Sequence, residues 1–358
     1  MKRLKNLNKA WVYLACTSII FASCKKDNET PETKFNNGIF ITNEGGYGNN
    51  NSSVSYYDYD QDSVFNTIFK NENGYTPGDV LQSIYIDDQQ VYLVVNNSNK
   101  VIIADRDTLR EENVVEDLPQ PRYMTSYQGK GYISCWGDNK VHVLDLTTQQ
   151  ITGTVSAGSG PEHMLVHNAQ LLVANSGGFG SDSTVTVIDL STQKVTKTLV
   201  VGNNPRDIEE DKNGDLWVLC YGFVDYTGSG ISAPAQLVVL DGATLQIKQK
   251  LTLSGLANPS VLEINAAGDK LYFGGGYGFE GIYELPVDGT TAKEVCTDEA
   301  YGFLMEKDHN EIFVMTARSF SGPGVLKRYS TSGELLGSYA VGIAPNGGVS
   351  LKNAEDHK

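Results

Sequence analysis

Residues 160 to 175 read GPEHMLVHNAQLLVAN and residues 183 to 202 read STVTVIDLSTQKVTKTLVVG. The first stretch is a Gly-Pro turn, a short apolar strand, a polar turn and a second apolar strand that ends on Asn175. The next is a β-branched strand that closes on an Asp, then a turn of small polar residues, then one more strand. Val, Ile and Thr favour the pleated backbone, and nothing in either stretch recurs with the 3.6-residue period of a helix. One turn and four strands therefore form a unit.

That unit recurs along the chain. NNSNKVIIADRDT, WGDNKVHVLDLTT, GSDSTVTVIDLST and APAQLVVLDGATL are variants of one strand and its Asp turn, and VYLVVN, YISCW, LLVAN, LWVLC and IFVMT are the apolar strands before them. A Pro or Gly turn precedes each, anchored at Pro77, Pro121, Pro161, Pro205, Pro259, Ala300 and Pro345. A four-stranded unit every ~40 to 50 residues, with no amphipathic helix between units, predicts an all-β, seven-bladed β-propeller. The last anchor, APNGGVSLK, has no strands after it, and the first strands, GIFITNEG, SVSYYDYD and SVFNTIF, have no inner strand before them. Residues near 346 to 352 are thus expected to join the N-terminal blade and close the ring, removing exposed sheet edges. The propeller is placed at residues 37 to 352 and a disordered tail at 353 to 358.

Ahead of the propeller stands MKRLKNLNK, basic and free of acid, followed by the apolar run Ala10 to Ala22. The run is too short to span a bilayer, which takes about 20 residues, and has the form of a secretory signal. Its end, Phe21-Ala22-Ser23-Cys24, resembles a bacterial lipobox, which implies a signal peptide over residues 1 to 23 and lipid on Cys24. Cys16 is a rival that would leave too short an apolar core. Residues 24 to 36 are polar and are read as a flexible tether. The net charge of the 358 residues is -15, and loss of residues 1 to 23 removes basic residues only. Such an acidic body repels phosphate backbones, so no nucleic acid is expected as a partner. Cys135, Cys220 and Cys296 form no CxxC pair and are read as buried free thiols.

In a propeller, the turn into each inner strand and the loop after each second strand emerge together at the channel mouth, where a ligand would bind. Aligning the ends of the second strands puts Asn43, Asn96, Trp136, Asn175, Cys220, Gly275 and Thr316 at one position. The loops beyond carry Tyr47, Phe179, Tyr221, Phe223, Tyr226, Tyr277, Phe279 and Phe320, and Arg318 lies in the last of them. The opposite loops, DLTTQQ, DLSTQK and DGATLQ, carry no aromatic residue. The inner turns add Gln82, Arg122, Tyr123, Glu162, His163, Arg206, Asp207, Ser260 and Tyr301. Aromatic planes, amides and arginines on one face suit a large, flat, amphipathic ligand. No catalytic residue and no metal ligand is assigned: Asp58, Asp60 and Asp62 have the alternate spacing of a calcium loop but lack its Gly and its distal Glu.

The units G-x-x-P, L-x-V-x-N and V-x-V-I-D-x-x-T-x-x-V resemble the YVTN-type propeller repeats of bacterial secreted proteins. The opening GIFITNEGGYGNNNSSVSYYD, with GDVLQSIYIDDQQVYLVVNNSNKVIIAD and PRYM, is most similar to the corrinoid-capturing propeller lipoproteins of Gram-negative gut bacteria. That resemblance implies an outer-membrane lipoprotein exposed on the cell surface and held by its N-terminal lipid. It further implies that the protein captures cobalamin or another corrinoid as cargo, not as cofactor, for a TonB-dependent outer-membrane transporter. Two alternatives stand beside it: a propeller enzyme of lactonase or lyase type, with Glu162 and His163 as its only adjacent pair, and a surface scaffold gripping protein or glycan.

Overall fold

The computed structural model describes residues 34 to 223, 233 to 253 and 258 to 351. These form seven four-stranded antiparallel sheets set in a ring, a seven-bladed β-propeller. The inner strands are Pro345–Ser350, Leu81–Ile86, Pro121–Tyr127, Pro161–His167, Pro205–Glu210, Val261–Ile264 and Gly302–Glu306, and each packs beside the inner strands of its two neighbours. Pro345–Ser350 pairs antiparallel with Gly38–Asn43, so the C-terminal strand does close the N-terminal blade. In the second blade the inner strand begins at Leu81 and not at the Pro77 turn, because Leu81 is the ladder partner of Val95.

There is no single core. Seven apolar clusters lie between successive blades, each fed by two of them. The strand Gln170–Asn175 shows how: Leu171 and Val173 face the third blade, while Leu172 and Ala174 face the fifth. A strand buried on both faces needs apolar residues at consecutive positions, which is why VIIA, VHVL, VTVI and LVVL do not alternate. Burying each Leu or Val contributes about 1.5 to 3 kcal/mol.

The repeated Asp is a turn device. At the end of the third strand Asp145 Oδ1 accepts hydrogen bonds from Thr148 N at 2.7 Å and Thr148 Oγ1 at 3.0 Å. Asp105 with Thr108, Asp189 with Thr192 and Asp241 with Thr244 repeat the arrangement. In each, the residue after the Thr has positive φ and donates its N–H to the Asp carbonyl. Side-chain oxygens of Asp and Thr satisfy the turn's backbone donors, as such turns require.

One short helix, Ile68–Asn73, lies between the first two blades, with Ile68 and Phe69 buried. Residues 1 to 33, with the signal peptide, Cys24 and most of the tether, lie outside the described residues, as do Tyr226 and residues 352 to 358. At the tether's end, Lys34 pairs with Glu72 and Phe35 packs edge-on to Phe40 and Tyr56, so these positions are held against the first blade. Cys135, Cys220 and Cys296 are buried free thiols; burial raises all three pKa values, that of Cys220 to about 12. Asp58, Asp60 and Asp62 turn to separate partners: Asp58 accepts from Asp60 N and Gln61 N, Asp60 from Asn37, and Asp62 from Tyr57, Tyr339 and Arg328. Among the described residues no group of His, Cys, Asp or Glu has the arrangement of a metal site.

Candidate ligand-binding site at the channel mouth

Five of the seven turns into the inner strands share one backbone feature. Val80, Gln120, Gly160, Asn204 and Ala344, each immediately before its inner strand, have φ between 50° and 59°. Their carbonyls accept the N–H of Asn96, Trp136, Ser176, Tyr221 and Glu44 at 2.8 to 3.0 Å. This left-handed turn locks the loop after each second strand to the turn before the inner strand, and so aims both at the mouth. For Val80, a β-branched residue, the conformation is strained by about 1 to 3 kcal/mol.

The mouth holds a cavity of about 470 Å³. It brings together Tyr47, Gln82, Asn96, Arg122, Tyr123, Trp136, Glu162, Arg206, Tyr221, Tyr277 and Tyr301, all expected there from the sequence. Other expected residues are elsewhere: Phe279 is buried, and Asp207 lies in the channel below with His163. Asn43 and Asn175 are the ladder partners of Pro345 and Pro161, and their side chains turn into their own blades, onto Ser55 and onto Thr184 and Thr186. The second strands of the second and third blades end on Val95 and Cys135 in that ladder position, so Asn96 and Trp136 are one residue farther on, level with Glu44, Ser176 and Tyr221. Trp136 is therefore not an exception in a ring of small side chains. Arg318 is exposed and does not line the cavity, and His163 faces the channel below.

Electrostatics organise one wall. Arg122 Nε and Nη2 each donate to Glu162 at 3.1 Å, its Nη1 donates to Gln82, and its guanidinium carbon stands 4.1 Å from the Trp136 ring centroid. Bidentate pairing and stacking together are what a planar guanidinium makes and an ammonium does not. Arg206 Nη1 lies 3.7 Å from the same Glu162, and its guanidinium carbon is 4.6 Å from the Tyr221 ring centroid. Glu162 is 2% exposed. Phe179 meets the Trp136 ring edge-on at 5.5 Å.

The opposite wall carries one carboxyl group, Glu44. Glu44, absent from the sequence expectations, accepts from Tyr301 Oη at 2.9 Å and from Asn346 Nδ2 at 3.0 Å. Burial pushes its pKa up, against the lowering effect of those hydrogen bonds and of Arg122. Tyr277 stacks on Phe320, which meets Tyr301 edge-on. Above the cavity Tyr47, Phe179 and Tyr277 rise from Gly-rich loops and are 80%, 90% and 83% exposed.

Beneath the mouth, the channel holds a second cavity of about 150 Å³ lined by His163, Asp207, Glu209 and Glu263 among others. Gln82, Tyr123, Val261 and Asn346 line both cavities and form the floor between them. His163 Nδ1 is 2.7 Å from Asp207 Oδ1. Burial alone would lower the His163 pKa, but Asp207, with Glu209 and Glu263 behind it, raises it to about 9. Burial raises Glu209 to about 7, with Lys307 and His163 opposing and Asp207 assisting.

No curated protein matches the chain in sequence. Solved structures share its fold: a Bacteroides thetaiotaomicron protein described as quinonprotein alcohol dehydrogenase-like has a TM-score of 0.65 and 13% identity, over 89% of this chain and 78% of that one. A candidate 6-phosphogluconolactonase from Bacteroides fragilis has a TM-score of 0.63 and 12% identity, over 88% of this chain and 99% of that one. A functionally unknown protein from Desulfotomaculum acetoxidans has a TM-score of 0.64 at 12% identity, with coverage of 88% and 99%. Likenesses at these identities establish the propeller and carry no activity across. At the level of sequence, residues 37 to 342 match the domain of unknown function DUF5074, and the chain belongs to that family.

Proposed function

We propose that the protein is a cell-surface lipoprotein, anchored through Cys24, whose propeller mouth captures cobalamin or another corrinoid and passes it to a TonB-dependent outer-membrane transporter. The observation that carries the reading is the mouth itself. A cavity of about 470 Å³, lined by charged, amide and aromatic side chains together, is ringed by aromatic tips that are four-fifths or more exposed. Leaving Tyr47, Phe179 and Tyr277 in water forgoes burial of about 150 to 250 Å² per aromatic side chain, at ~25 cal/mol per Å². A broad, flat ligand laid across the mouth would cover these rings. Amide arms projecting from such a ligand would reach the donors and acceptors below, among them Gln82, Asn96 and Tyr301.

The enzymatic alternative drew on Glu162 and His163 acting together. Their side chains line different cavities, Glu162 the mouth and His163 the channel beneath, which weakens that pairing. A calorimetric titration of the protein with cyanocobalamin tests the proposal: saturable binding is expected, and no heat at micromolar ligand would overturn it.

A further inference from the structure

Among the described residues, the two guanidiniums of the mouth are unequally paired. The two, Arg122 and Arg206, have one carboxylate between them: Arg122 holds both oxygens of Glu162 at 3.1 Å, and Arg206 Nη1 reaches an oxygen already engaged, at 3.7 Å. The other carboxyl, Glu44, is held by Tyr301 and Asn346. Arg206, half-buried, is therefore left without a carboxylate of its own among the described residues.

Two buried N–H donors of residues lining this cavity, Arg206 Nε and Trp136 Nε1, find no acceptor among the described residues. Almost all buried donors in folded proteins are paired, and leaving one unpaired costs about 1 to 3 kcal/mol. Both residues line the cavity. With its face against Tyr221, Arg206 can only present its N–H groups edgewise, the direction from which a planar guanidinium takes an oxyanion. A dianion would stand against the buried Glu162 carboxylate.

We infer that Arg206 receives the single negatively charged oxyanion of the ligand, a phosphodiester or a carboxylate, while Trp136 Nε1 donates to an uncharged acceptor on the same ligand. The assignment rests on the reading of the mouth as the ligand site and adds the charge of the ligand to it. A corrinoid with its phosphodiester-linked nucleotide meets the requirement, and one lacking that arm does not.

Two measurements decide the matter. In calorimetry on the full chain, cyanocobalamin should bind at least about 10-fold more tightly than dicyanocobinamide, and Arg206→Gln should weaken cyanocobalamin by about 10- to 100-fold and dicyanocobinamide by much less. Equal affinity for the two corrinoids, or equal losses in the variant, would overturn the assignment. The second measurement is independent of corrinoid binding. Diphenyl phosphate, a planar monoanionic phosphodiester, and benzoate are titrated while the Arg Nε–Hε and Trp Nε1–Hε1 resonances are followed by NMR, with Arg206→Gln and Trp136→Phe giving the assignments. Saturable shifts at Arg206 with either anion support the inference even if neither corrinoid binds, and the stronger of the two identifies the group. Unmoved Arg206 resonances with both anions would sink it.

Discussion

The guanidinium carbon of Arg122 lies 4.1 Å from the Trp136 ring centroid while its Nε and Nη2 grip both oxygens of Glu162. One face of the indole is thus covered by a cation that is itself fixed in place, and Phe179 meets the ring edge-on. Trp136 is a wall of the mouth, held by its own neighbours.

That contact is measurable as a coupling. A double-mutant cycle of Arg122→Gln and Trp136→Ala should give an interaction of about 0.5 to 2 kcal/mol in urea unfolding. Trp136→Ala should also abolish saturable cyanocobalamin binding while the far-ultraviolet circular dichroism stays that of the wild type. A folded variant with unchanged affinity would remove the indole from the site.

Glu162 is shared by two guanidiniums from a position that is 2% exposed. Removing one partner of a buried charge pair leaves the other uncompensated, so Glu162→Gln should lower unfolding free energy by about 3 to 5 kcal/mol. Arg122→Gln in the Glu162→Gln background should cost much less than it does alone. Additive losses would show that the pair is not coupled.

The channel beneath the mouth predicts a pH dependence. His163 has a folded pKa of about 9, above the ~6.5 of an unfolded chain, so its contribution to stability is complete below about pH 6.5 and is lost as pH rises through about 9. The stability difference between wild type and His163→Gln should therefore be largest in mild acid and shrink toward pH 9. Glu209 runs through the opposite sign. Its pKa, raised to about 7, means that ionisation opposes folding above the ordinary carboxyl range, so Glu209→Gln should gain on the wild type as pH rises. Urea midpoints across this range, with the His163 ring titrated by NMR, test both. A His163 midpoint near 6.5 would contradict the first.

Gly160 has a φ of 58°, and a Cβ there would fall 2.0 Å from Gly178 N. The backbone of the loop carrying Phe179 is packed directly on it. Gly160→Ala should destabilise by more than about 1 kcal/mol and shift the 177 to 180 loop, loosening Phe179 from Trp136. Thermal melting with indole fluorescence reads both changes, and an unaltered indole spectrum would show that the loop had not moved.

The blades were legible because everything that specifies them is local. The β-branched runs, the Pro and Gly turns and the Asp-Thr pairs each act within a few residues, and a unit repeated around the ring exposes its own pattern. Ring closure followed from a strand missing at one end and a surplus one at the other. The mouth was legible as a place: Arg122, Arg206, Trp136 and most of the tyrosines lie where the repeat puts them. It failed at single positions for one physical reason, the two-residue period of a strand. A shift of one in aligning second-strand ends picked out the blade-facing Asn43 and Asn175 and passed over Glu44, which lines the mouth.

By itself, then, the chain determines blades, blade count and which loops share a face, since short-range propensity and alternation suffice for these. Only the tertiary structure decides which side chains meet. Glu162 joins guanidiniums from the blades on either side of its own, and Glu44 meets Tyr301 and Asn346 only because the last strand closes the first blade. Contacts of that kind depend on distances across the ring that no local pattern encodes. The packing of neighbouring inner strands likewise leaves Arg206 sharing a carboxylate that is already taken.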